Sequence, residues 1–340
     1  MDAVSLGFSA LAIVSILAVT VLLALVEKRV APADWARTVL VAGAGGAIVT
    51  IACSIELVLL PLLLVGPLAA LGALFATLAT SLMTTESVPK RLVVAAAATA
   101  LVFLPVASTV FGTLFDPFGT RLGVIDLGGA LPTLVAGGAV AVGTALVCRP
   151  LDTVRSSRAD GWSSVVPSVL VWFAVVGWVV GLELAADDMV PIIVVSALVI
   201  PAVAAAAAFI AERFRFRRTT ASGVITGLLA GVAAAVPACA FVTPSLGAAI
   251  GLVAGAVSAL LPDRLSAWPA VTLAVGAAIS VVLLGAFGTN IGYIYTGQPE
   301  LVLGQVFTTL ASIAGGGLAG AGFGWLLQRW PSPDRSVPRG

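Results

Sequence analysis

The sequence predicts an all-α integral membrane protein with eleven transmembrane helices, the N-terminus outside and the C-terminus inside. Of its 340 residues, 60% are hydrophobic and 10% are charged, whereas a soluble domain carries about 25% charged residues. The mean hydropathy is +1.15. Eleven apolar runs approach or exceed the roughly 20 residues that a helix needs to cross the hydrocarbon layer. They lack the alternation that is typical of membrane β-strands.

The eleven runs follow one another along the whole chain, separated by short loops. The second and the ninth runs are the shortest. The runs lie near residues 5–26, 38–54, 57–81, 92–111, 127–148, 163–186, 190–211, 221–241, 245–261, 267–287 and 303–327. We therefore expect residues 1–340 to form a single transmembrane domain in the cell membrane.

The direction of the helices follows from the basic residues. If the N-terminus faces outward, sixteen of the 17 Lys and Arg residues lie on the cytoplasmic side, as the positive-inside rule requires. Only Arg121 lies outside. The sixteen are Lys28, Arg29, Arg37, Lys90, Arg91, Arg149, Arg155, Arg158, Arg213, Arg215, Arg217, Arg218, Arg264, Arg329, Arg335 and Arg339. Because a miscounted span would reverse every later loop, this agreement also supports the segmentation.

Two stretches in the fifth and tenth runs share one pattern. TLVAGGAV occupies residues 133–140 and TLAVGAAI occupies residues 272–279, and both follow the frame T-L-x-x-G-x-A-[V/I]. Equivalent positions of an inverted repeat meet near a shared axis, so Thr133 and Thr272 are candidates to face one another. The alternative is that each hydroxyl bonds a carbonyl one turn back in its own helix.

The predicted directions of the two runs support such a repeat. The fifth run points inward and the tenth points outward, so five helices are followed by five of opposite direction, a common plan of transporters. We expect the first half at residues 5–148 and the second at 163–287. An eleventh helix at 303–327 follows them.

Several longer stretches resemble the ammonium transporter/Rhesus family. Residues 223–260, with P-A-C at 237–239 and glycines at every fourth position, are similar to its eighth and ninth helices. Residues 88–150 resemble its fourth and fifth helices, and 174–187 resemble its sixth. The similarity covers roughly residues 55–290. It implies a homotrimer in which each subunit has a narrow pore between its two halves.

The family conducts ammonia or ammonium past two facing histidines, one on the fifth helix and one on the tenth. This chain contains no histidine. Aligned with the family, the two positions fall on Thr133 and Thr272, the second with a one-residue alternative at Leu273. A threonine hydroxyl donates and accepts hydrogen bonds but does not titrate as imidazole does. The resemblance thus implies a divergent member with a pore lined by Thr133 and Thr272.

The outer mouth of the pore departs from the family as well. The tryptophan of the family's outer cation cage falls on Phe111, which keeps a weaker cation–π surface, and the serine of that cage falls near Ala185. The family's stacked phenylalanine gate falls on residues without aromatic rings, at Leu71 or Gly72 and at Gly181 or Leu182. We therefore expect a wider, less selective entrance.

Four acidic residues lie near the predicted outer side. Asp126 falls at the family's acidic residue, and we expect it to cap the N-terminus of the fifth helix. Glu183 lies within the sixth run, where an acid costs about 2.5–3.5 kcal/mol and usually faces a cavity or a partner. Together with Asp187 and Asp188 it would concentrate cations at the outer mouth. The alternative is an interfacial acid that reaches water.

Two functions remain open at this point. The first is a channel or transporter for a small polar solute such as ammonium or ammonia, and the second is a non-conducting sensor or ligand-binding relative, which the loss of both histidines motivates. An enzyme is not expected, because the chain lacks histidine, a metal-binding cluster and paired carboxylates deep in the spans.

We accordingly predict no metal, no other cofactor and, with a net charge of +1, no nucleic-acid partner. The expected surroundings are the lipid bilayer and the solute itself. The family can dock a nitrogen-signalling regulator of the PII type, but the short, proline-rich end of this chain makes that partner unexpected.

Overall fold

A computed structural model describes residues 3–27, 43–52, 62–83, 86–111, 123–148, 162–217, 220–262, 265 and 268–330 of the protein. The regular structure within these residues is helical. Eleven apolar helices follow one another: α1 Ala3–Glu27, α2 Gly43–Ala52, α3 Leu62–Thr80, α4 Val88–Phe111, α5 Leu131–Cys148, α6 Trp162–Glu183, α7 Met189–Phe216, α8 Ala221–Ala238, α9 Pro244–Leu260, α10 Pro269–Phe287 and α11 Glu300–Arg329. A one-turn helix, Tyr293–Thr296, precedes α11.

Each predicted apolar run corresponds to one of these helices, so the predicted all-α membrane class is confirmed. In the described part of the chain, nine helices are long and apolar enough to cross a membrane. The two shorter apolar helices are α2 and α9, which match the two shortest runs of the sequence. The outward direction of the N-terminus and the boundaries of the two halves stay predictions.

Local sequence sets the start of several helices. The Oγ1 atoms of Thr220 and Thr243 accept hydrogen bonds from the backbone N–H groups of Gly223 (3.0 Å) and Leu246 (3.5 Å), which caps α8 and α9. Pro269 occupies the first turn of α10, where a missing N–H costs nothing. These three starts can be read from the sequence.

Two helices contain a π-turn, at Thr99–Phe103 in α4 and at Leu131–Val135 in α5. Neither turn is predicted from the sequence, although a proline accompanies each: Pro105 follows the first and Pro132 lies within the second. Proline lacks an N–H and its ring clashes with the carbonyl four residues earlier, and a wider turn relieves that clash. Single π-turns are frequent at functional sites.

Six helices form a closed ring, which we call the six-helix ring. Going round it, each helix contacts the next in the order α1, α3, α5, α10, α8, α6, and α6 contacts α1. If α1, α3 and α5 exchange places with α6, α8 and α10, the order of contacts round the ring stays the same, as an inverted repeat requires. Outside it, α4 contacts α3 and α5 as α9 contacts α8 and α10. One cluster of buried apolar side chains includes residues from all six ring helices.

Glycines allow the helices of the second half to approach closely. Gly227 and Gly231 of α8 and Gly251 and Gly255 of α9 lie directly against the backbone of α7 around Ala204. Both glycine ladders therefore pack against the same helix, since small residues let helices meet in lipid.

A third glycine ladder, which the sequence analysis does not single out, lies on α11. Gly316, Gly320 and Gly324 contact α5. Thr144 of α5 donates a hydrogen bond to the Gly320 carbonyl (3.1 Å), and the thiol of Cys148 donates one to the Gly324 carbonyl (3.6 Å). The eleventh helix is thus joined to the outer side of the ring at α5.

Two described basic residues join the ends of neighbouring helices. Lys90 at the start of α4 pairs with Glu86 (3.3 Å) and donates to the Trp330 carbonyl at the end of α11 (3.4 Å). Arg215 at the end of α7 donates to the Leu260 carbonyl at the end of α9 (3.1 Å). The start of α4 thus lies beside the end of α11, and the end of α7 lies beside the end of α9.

Many of the predicted cytoplasmic basic residues are not covered by this description. Those outside the described residues are Lys28, Arg29, Arg37, Arg149, Arg155, Arg158, Arg218, Arg264, Arg335 and Arg339, together with the predicted outer Arg121.

Candidate functional site

The two repeated octets occupy equivalent places in the six-helix ring. Their shared glycines are Gly137 in α5 and Gly276 in α10. A Cβ at Gly137 would lie 3.3 Å from both Leu78 and Phe75 of α3, and a Cβ at Gly276 would overlap the Ala230 carbonyl of α8. Because α3 and α8 correspond in the two halves, these contacts fit the predicted repeat.

Thr133 lies in the π-turn of α5 and is fully buried. Its hydroxyl donates a hydrogen bond to the Gly129 carbonyl, four residues earlier, which is the own-helix bond that the sequence left open. Gly129 has a φ of +70°, a conformation that glycine adopts readily. A Cβ there would lie 3.1 Å from the Phe111 ring and 3.2 Å from Leu71. Thr133 is therefore one turn from the place where Gly129 meets Phe111 and Leu71.

Thr272 is also buried, but within the described residues its hydroxyl has no hydrogen-bond partner. It shares a face of α10 with Gly276 and Ser280. Gly276 packs against the Ala230 carbonyl of α8, and the Ser280 hydroxyl donates a hydrogen bond to the Ala234 carbonyl of α8 (2.6 Å). The hydroxyl of Thr272 is thus a buried polar group on the side of α10 that meets α8.

The side of α10 that meets α5 is marked by Gly138. A Cβ at Gly138 would lie 2.6 Å from the Ala274 Cβ and 2.7 Å from the Ala270 carbonyl. Thr272 is two residues from each alanine, about 200° round the helix, and so lies on the opposite side. Leu273 lies between the α8 and α5 sides. No hydrogen bond joins Thr133 to Thr272; the pair stays a prediction, and helix geometry favours the alternative register at Leu273.

Trp178 of α6 is a candidate that sequence reasoning missed. Its side chain is 1% exposed, and its indole N–H has no partner in the part of the chain that the structure describes. By contrast, the indole N–H of Trp172 donates to the Ala197 carbonyl of α7 (3.0 Å). An unpaired buried donor is costly, so Trp178 offers a hydrogen bond that the described residues leave unused.

The position of Trp178 follows from its neighbours on α6. Gly177 and Gly181 pack against Ser15 and Ala12 of α1. Trp178 follows Gly177 by about 100° and lies about 120° from Trp172, away from the α7 side. It also belongs to a buried cluster that includes residues of all six ring helices and of α4, α7 and α11. Trp178 is therefore buried on a side of α6 that is next to the α1 contact and away from α7. The sequence shows it only as one of several tryptophans of the α6 span, beside Trp172, which does not distinguish it.

Three of the predicted outer acids lie together at the end of α6. Glu183 is its last residue and is partly buried, and Asp187 and Asp188 are exposed in the turn before α7. Leu184 between them has a φ of +58°, which ends the helix abruptly. A carboxylate oxygen of Asp187 accepts a hydrogen bond from the Met189 N–H (3.0 Å).

Asp126 lies at the start of α5, at the same end of the bundle. Its carboxylate accepts hydrogen bonds from the backbone N–H groups of Ala130 (2.9 Å) and Leu131 (2.7 Å). Burial raises the pKa of Asp126 from 3.8 to about 6, against the opposing effect of the N–H groups of Leu131, Ala130 and Gly129. The arrangement is that of a buried helix cap.

The neighbours of the alternative gate positions differ, although the entrance itself stays a prediction. Leu71 faces Gly129 and Phe111, whereas Gly72 faces Thr50 of α2. On α6, Gly181 faces α1. Helix geometry therefore favours Leu71 and Leu182 as the neighbours of the entrance. Ala185, the predicted cage position, is exposed.

Among the residues that the structure covers, no group of three or more His, Cys, Asp or Glu side chains could hold a metal ion. The described cysteines, Cys148 and Cys239, are free thiols. The polar groups gathered at the ring are therefore hydroxyls, an indole N–H and carboxylates.

A model of the ammonium transporter family matches residues 72–332 of this chain. A predicted ammonium transporter of Methanothermobacter thermautotrophicus is 28% identical over 225 residues, which are 63% of this chain and 53% of that protein. An ammonium transporter of Bacillus subtilis is 28% identical over 158 residues, 46% of this chain and 38% of that protein. The chain thus spans about half, or less, of the length of these curated relatives.

Solved structures share the fold. Mep2 of Saccharomyces cerevisiae has a TM-score of 0.80 at 18% identity, with 94% of this chain and 87% of that chain covered. A protein named Sensor Amt Protein has a TM-score of 0.78 at 18% identity, covering 96% and 92%. Candida albicans Mep2 has a TM-score of 0.80 at 15% identity, covering 94% and 83%.

Proposed function

Because this chain belongs to the ammonium transporter family, we propose that it conducts a small polar solute, ammonia, ammonium or a similar molecule, through its six-helix ring. It is a multi-pass membrane protein and not an enzyme. The cell membrane is its expected location.

The observation that carries this proposal is the unpaired indole N–H of Trp178, a buried residue of the ring helix α6 whose side chain we place inside the ring. A donor without a partner favours a solute that brings a lone pair. Ammonia has one, and ammonium has none. Since moving a bare cation into a low dielectric costs tens of kcal/mol by idealised estimates, we propose that the neutral molecule crosses the ring and that the proton stays behind.

We propose that the hydroxyls of Thr133 and Thr272 are the polar groups beside this path. Neither hydroxyl titrates in the physiological range, so neither can take over the proton as an imidazole would. Thr272 has an unused donor and acceptor, whereas Thr133 is already bonded to Gly129. Their contribution is therefore to bind a neutral solute, with Leu273 as the alternative lining residue on α10.

The experiment measures ammonia and methylammonium uptake in proteoliposomes for the wild type and for Trp178→Phe. Loss of one hydrogen bond to the solute lowers the flux by roughly two- to tenfold. Trp172→Phe is the matched control, because its indole is bonded to α7 outside the path. Equal flux for Trp178→Phe and the wild type would refute the assignment of this residue. If the flux of ammonium, methylammonium, urea, water and carbon dioxide does not exceed that of empty vesicles, the conduction proposal is wrong.

At the outer mouth, we propose that Glu183, Asp187 and Asp188 attract cations and that Phe111 offers a ring surface to them. Glu183→Gln then weakens ammonium uptake at low concentration and leaves the flux of a neutral solute nearly unchanged. The same two fluxes for Asp188→Asn show how much a fully exposed acid adds. If ammonium uptake by Glu183→Gln equals that of the wild type, the assignment of Glu183 to a cation-attracting outer site is wrong.

A second candidate function is a non-conducting sensor or ligand-binding protein. The burial of Leu134, Leu273 and Trp178 at the ring, together with the lack of histidine, favours it. Binding of ammonium to purified protein in the absence of any flux would select this function.

We also propose that the protein is a homotrimer with a path in each subunit, as the family resemblance implies. Native mass spectrometry of the purified protein measures this directly, and a monomer at all detergent concentrations would contradict it. We do not expect a PII-type regulator to bind.

A further inference from the structure

One face of α11 carries buried polar side chains outside the six-helix ring. Gln305, Thr308, Thr309 and Ser312 are all buried. The amide nitrogen of Gln305 donates a hydrogen bond to the Ile125 carbonyl (2.7 Å), just before α5. A Cβ at Gly285 of α10 would lie 3.3 Å from the Gln305 Cγ. This face therefore enters the wedge between α5, α10 and α11.

Two atoms on this face have no hydrogen-bond partner among the described residues: Oε1 of Gln305 and Oγ1 of Thr309. The amide of Gln305 cannot be reversed without turning its oxygen against the Ile125 carbonyl, because its nitrogen already donates there. Oε1 is thus fixed as an acceptor and requires a donor.

The hydroxyl of Thr309 is unusual among the buried threonines of this chain. Five buried threonines on other helices, Thr20, Thr77, Thr80, Thr99 and Thr144, donate to the carbonyl four residues earlier. Thr309, like Thr272 of α10, has no such bond among the described residues. Its hydroxyl can therefore accept and donate a hydrogen bond in the wedge.

We infer that Gln305 and Thr309 together bind one small hydrogen-bond donor, either water or ammonium, in the wedge between α5, α10 and α11. Residues four apart on a helix have Cβ atoms about 5–6 Å apart, a separation that one small molecule can bridge. Buried water in proteins typically bonds polar groups that otherwise have no hydrogen-bond partner. Since α11 is not part of the ring, this site is separate from the proposed path.

The bound molecule would connect α11 to the start of α5. Gln305 already holds Ile125, and the next residue, Asp126, caps the turn that leads to Thr133. The site thus stabilises the segment that positions the π-turn, without contacting the transported solute.

The first test is the melting temperature of the purified full-length protein in detergent for Thr309→Val, which replaces the hydroxyl by a methyl group of similar size. If a molecule is bound, the variant melts below the wild type by as much as the control Thr80→Val does, because Thr80 loses a known hydrogen bond to the Ala76 carbonyl. If the site is empty, the variant melts at or above the wild-type temperature, since an unpaired hydroxyl is removed, and the inference is overturned.

The second test identifies the molecule. A high-resolution density map of protein kept in sodium chloride shows a feature within hydrogen-bond distance of both Oε1 and Oγ1 if water is bound. A melting temperature that rises with ammonium chloride over matched sodium chloride, and does not rise in Thr309→Val, identifies ammonium instead. If the map shows no such feature and the melting temperature does not depend on ammonium, the site is refuted. No transport is measured, so failure of the proposed function leaves these outcomes unaffected.

Discussion

The octet of α5 and the octet of α10 match in sequence and in their neighbours, yet their threonines have different surroundings. Thr133 follows Pro132, lies in a π-turn and bonds the Gly129 carbonyl. Thr272 follows Val271, lies in a regular α-helix and has no partner among the described residues. A sequence repeat therefore points to corresponding helices. A single proline and its π-turn change the direction in which the side chains of one of these helices point.

The largest expected effect is a difference in stability between alanine substitutions at Gly276 and at Gly137, the shared glycines of the two octets. Gly276→Ala brings a Cβ onto the Ala230 carbonyl of α8, a backbone atom that cannot move aside, whereas Gly137→Ala places a Cβ 3.3 Å from side-chain atoms of α3. We expect Gly276→Ala to cost about 3 kcal/mol, the upper part of the range for overpacking. Gly137→Ala should stay within about 1 kcal/mol, because alanine also favours the helix.

Thermal unfolding in detergent and the yield of folded protein measure both changes. Similar losses of stability for the two variants would show that Gly137 is packed as tightly against α3 as Gly276 is against α8.

A second experiment tests the register of the pore pair by restoring histidines. The double variant Thr133→His with Leu273→His should give larger ammonium currents than Thr133→His with Thr272→His, because Leu273 lies nearer the α5 side of α10. Currents are recorded on solid-supported membranes with both proteins at equal density. The opposite ranking would favour the family alignment at Thr272 and would mean that Thr272, not Leu273, lies nearer Thr133.

A third prediction concerns the start of the two helices: α5 begins at a buried acid, Asp126, while α10 begins at Trp268 without a side-chain cap. Burial raises the pKa of Asp126 from 3.8 to about 6, so the folded protein binds a proton more tightly than the unfolded chain. The associated stability is fully present below pH 3.8 and is lost as the pH rises through about 6. The loss is roughly 3 kcal/mol.

The melting temperature of the wild type and of Asp126→Asn between pH 4 and 7 measures this difference. The wild type should lose stability relative to the variant across that window. A constant difference would show that Asp126 has an ordinary pKa.

The smallest effect compares the two threonines directly. Thr133→Val removes a hydrogen bond to Gly129 and should destabilise the protein by about 1 kcal/mol. Thr272→Val removes an unpaired buried hydroxyl and should leave stability unchanged or raise it. Equal destabilisation, measured by chemical or thermal unfolding, would mean that Thr272 has a partner in the membrane, such as water or the solute.

Much of the architecture could be predicted because lipid makes it depend on local features. A span needs a long apolar run and internal hydrogen bonds, so each of the eleven runs corresponds to a helix. Capping residues such as Thr220 and Thr243 mark helix starts for the same local reason. The glycine ladders of α8 and α9 predicted close packing, although the sequence could not say that both face α7.

The candidate site could be predicted only in part. Asp126 and the acids after α6 are visible because charged residues are rare in this chain. Trp178, Gln305 and Thr309 were missed, since an apolar or uncharged polar residue within a span carries no signal until its neighbours are known. Their interest lies in an unused donor or acceptor, which is a property of the packed helices.

The sequence by itself determined that this protein is a bundle of membrane helices and where the apolar helices lie along the chain, and it predicted that the two octets correspond. These features rest on hydrophobicity and on local repeats. Only the tertiary structure decided the closed order of the six-helix ring, the side of α10 on which Thr272 lies, and which buried polar atoms lack a partner. The physical reason is that the direction of a side chain depends on the pitch and rotation of its helix, and packing against neighbouring helices sets both.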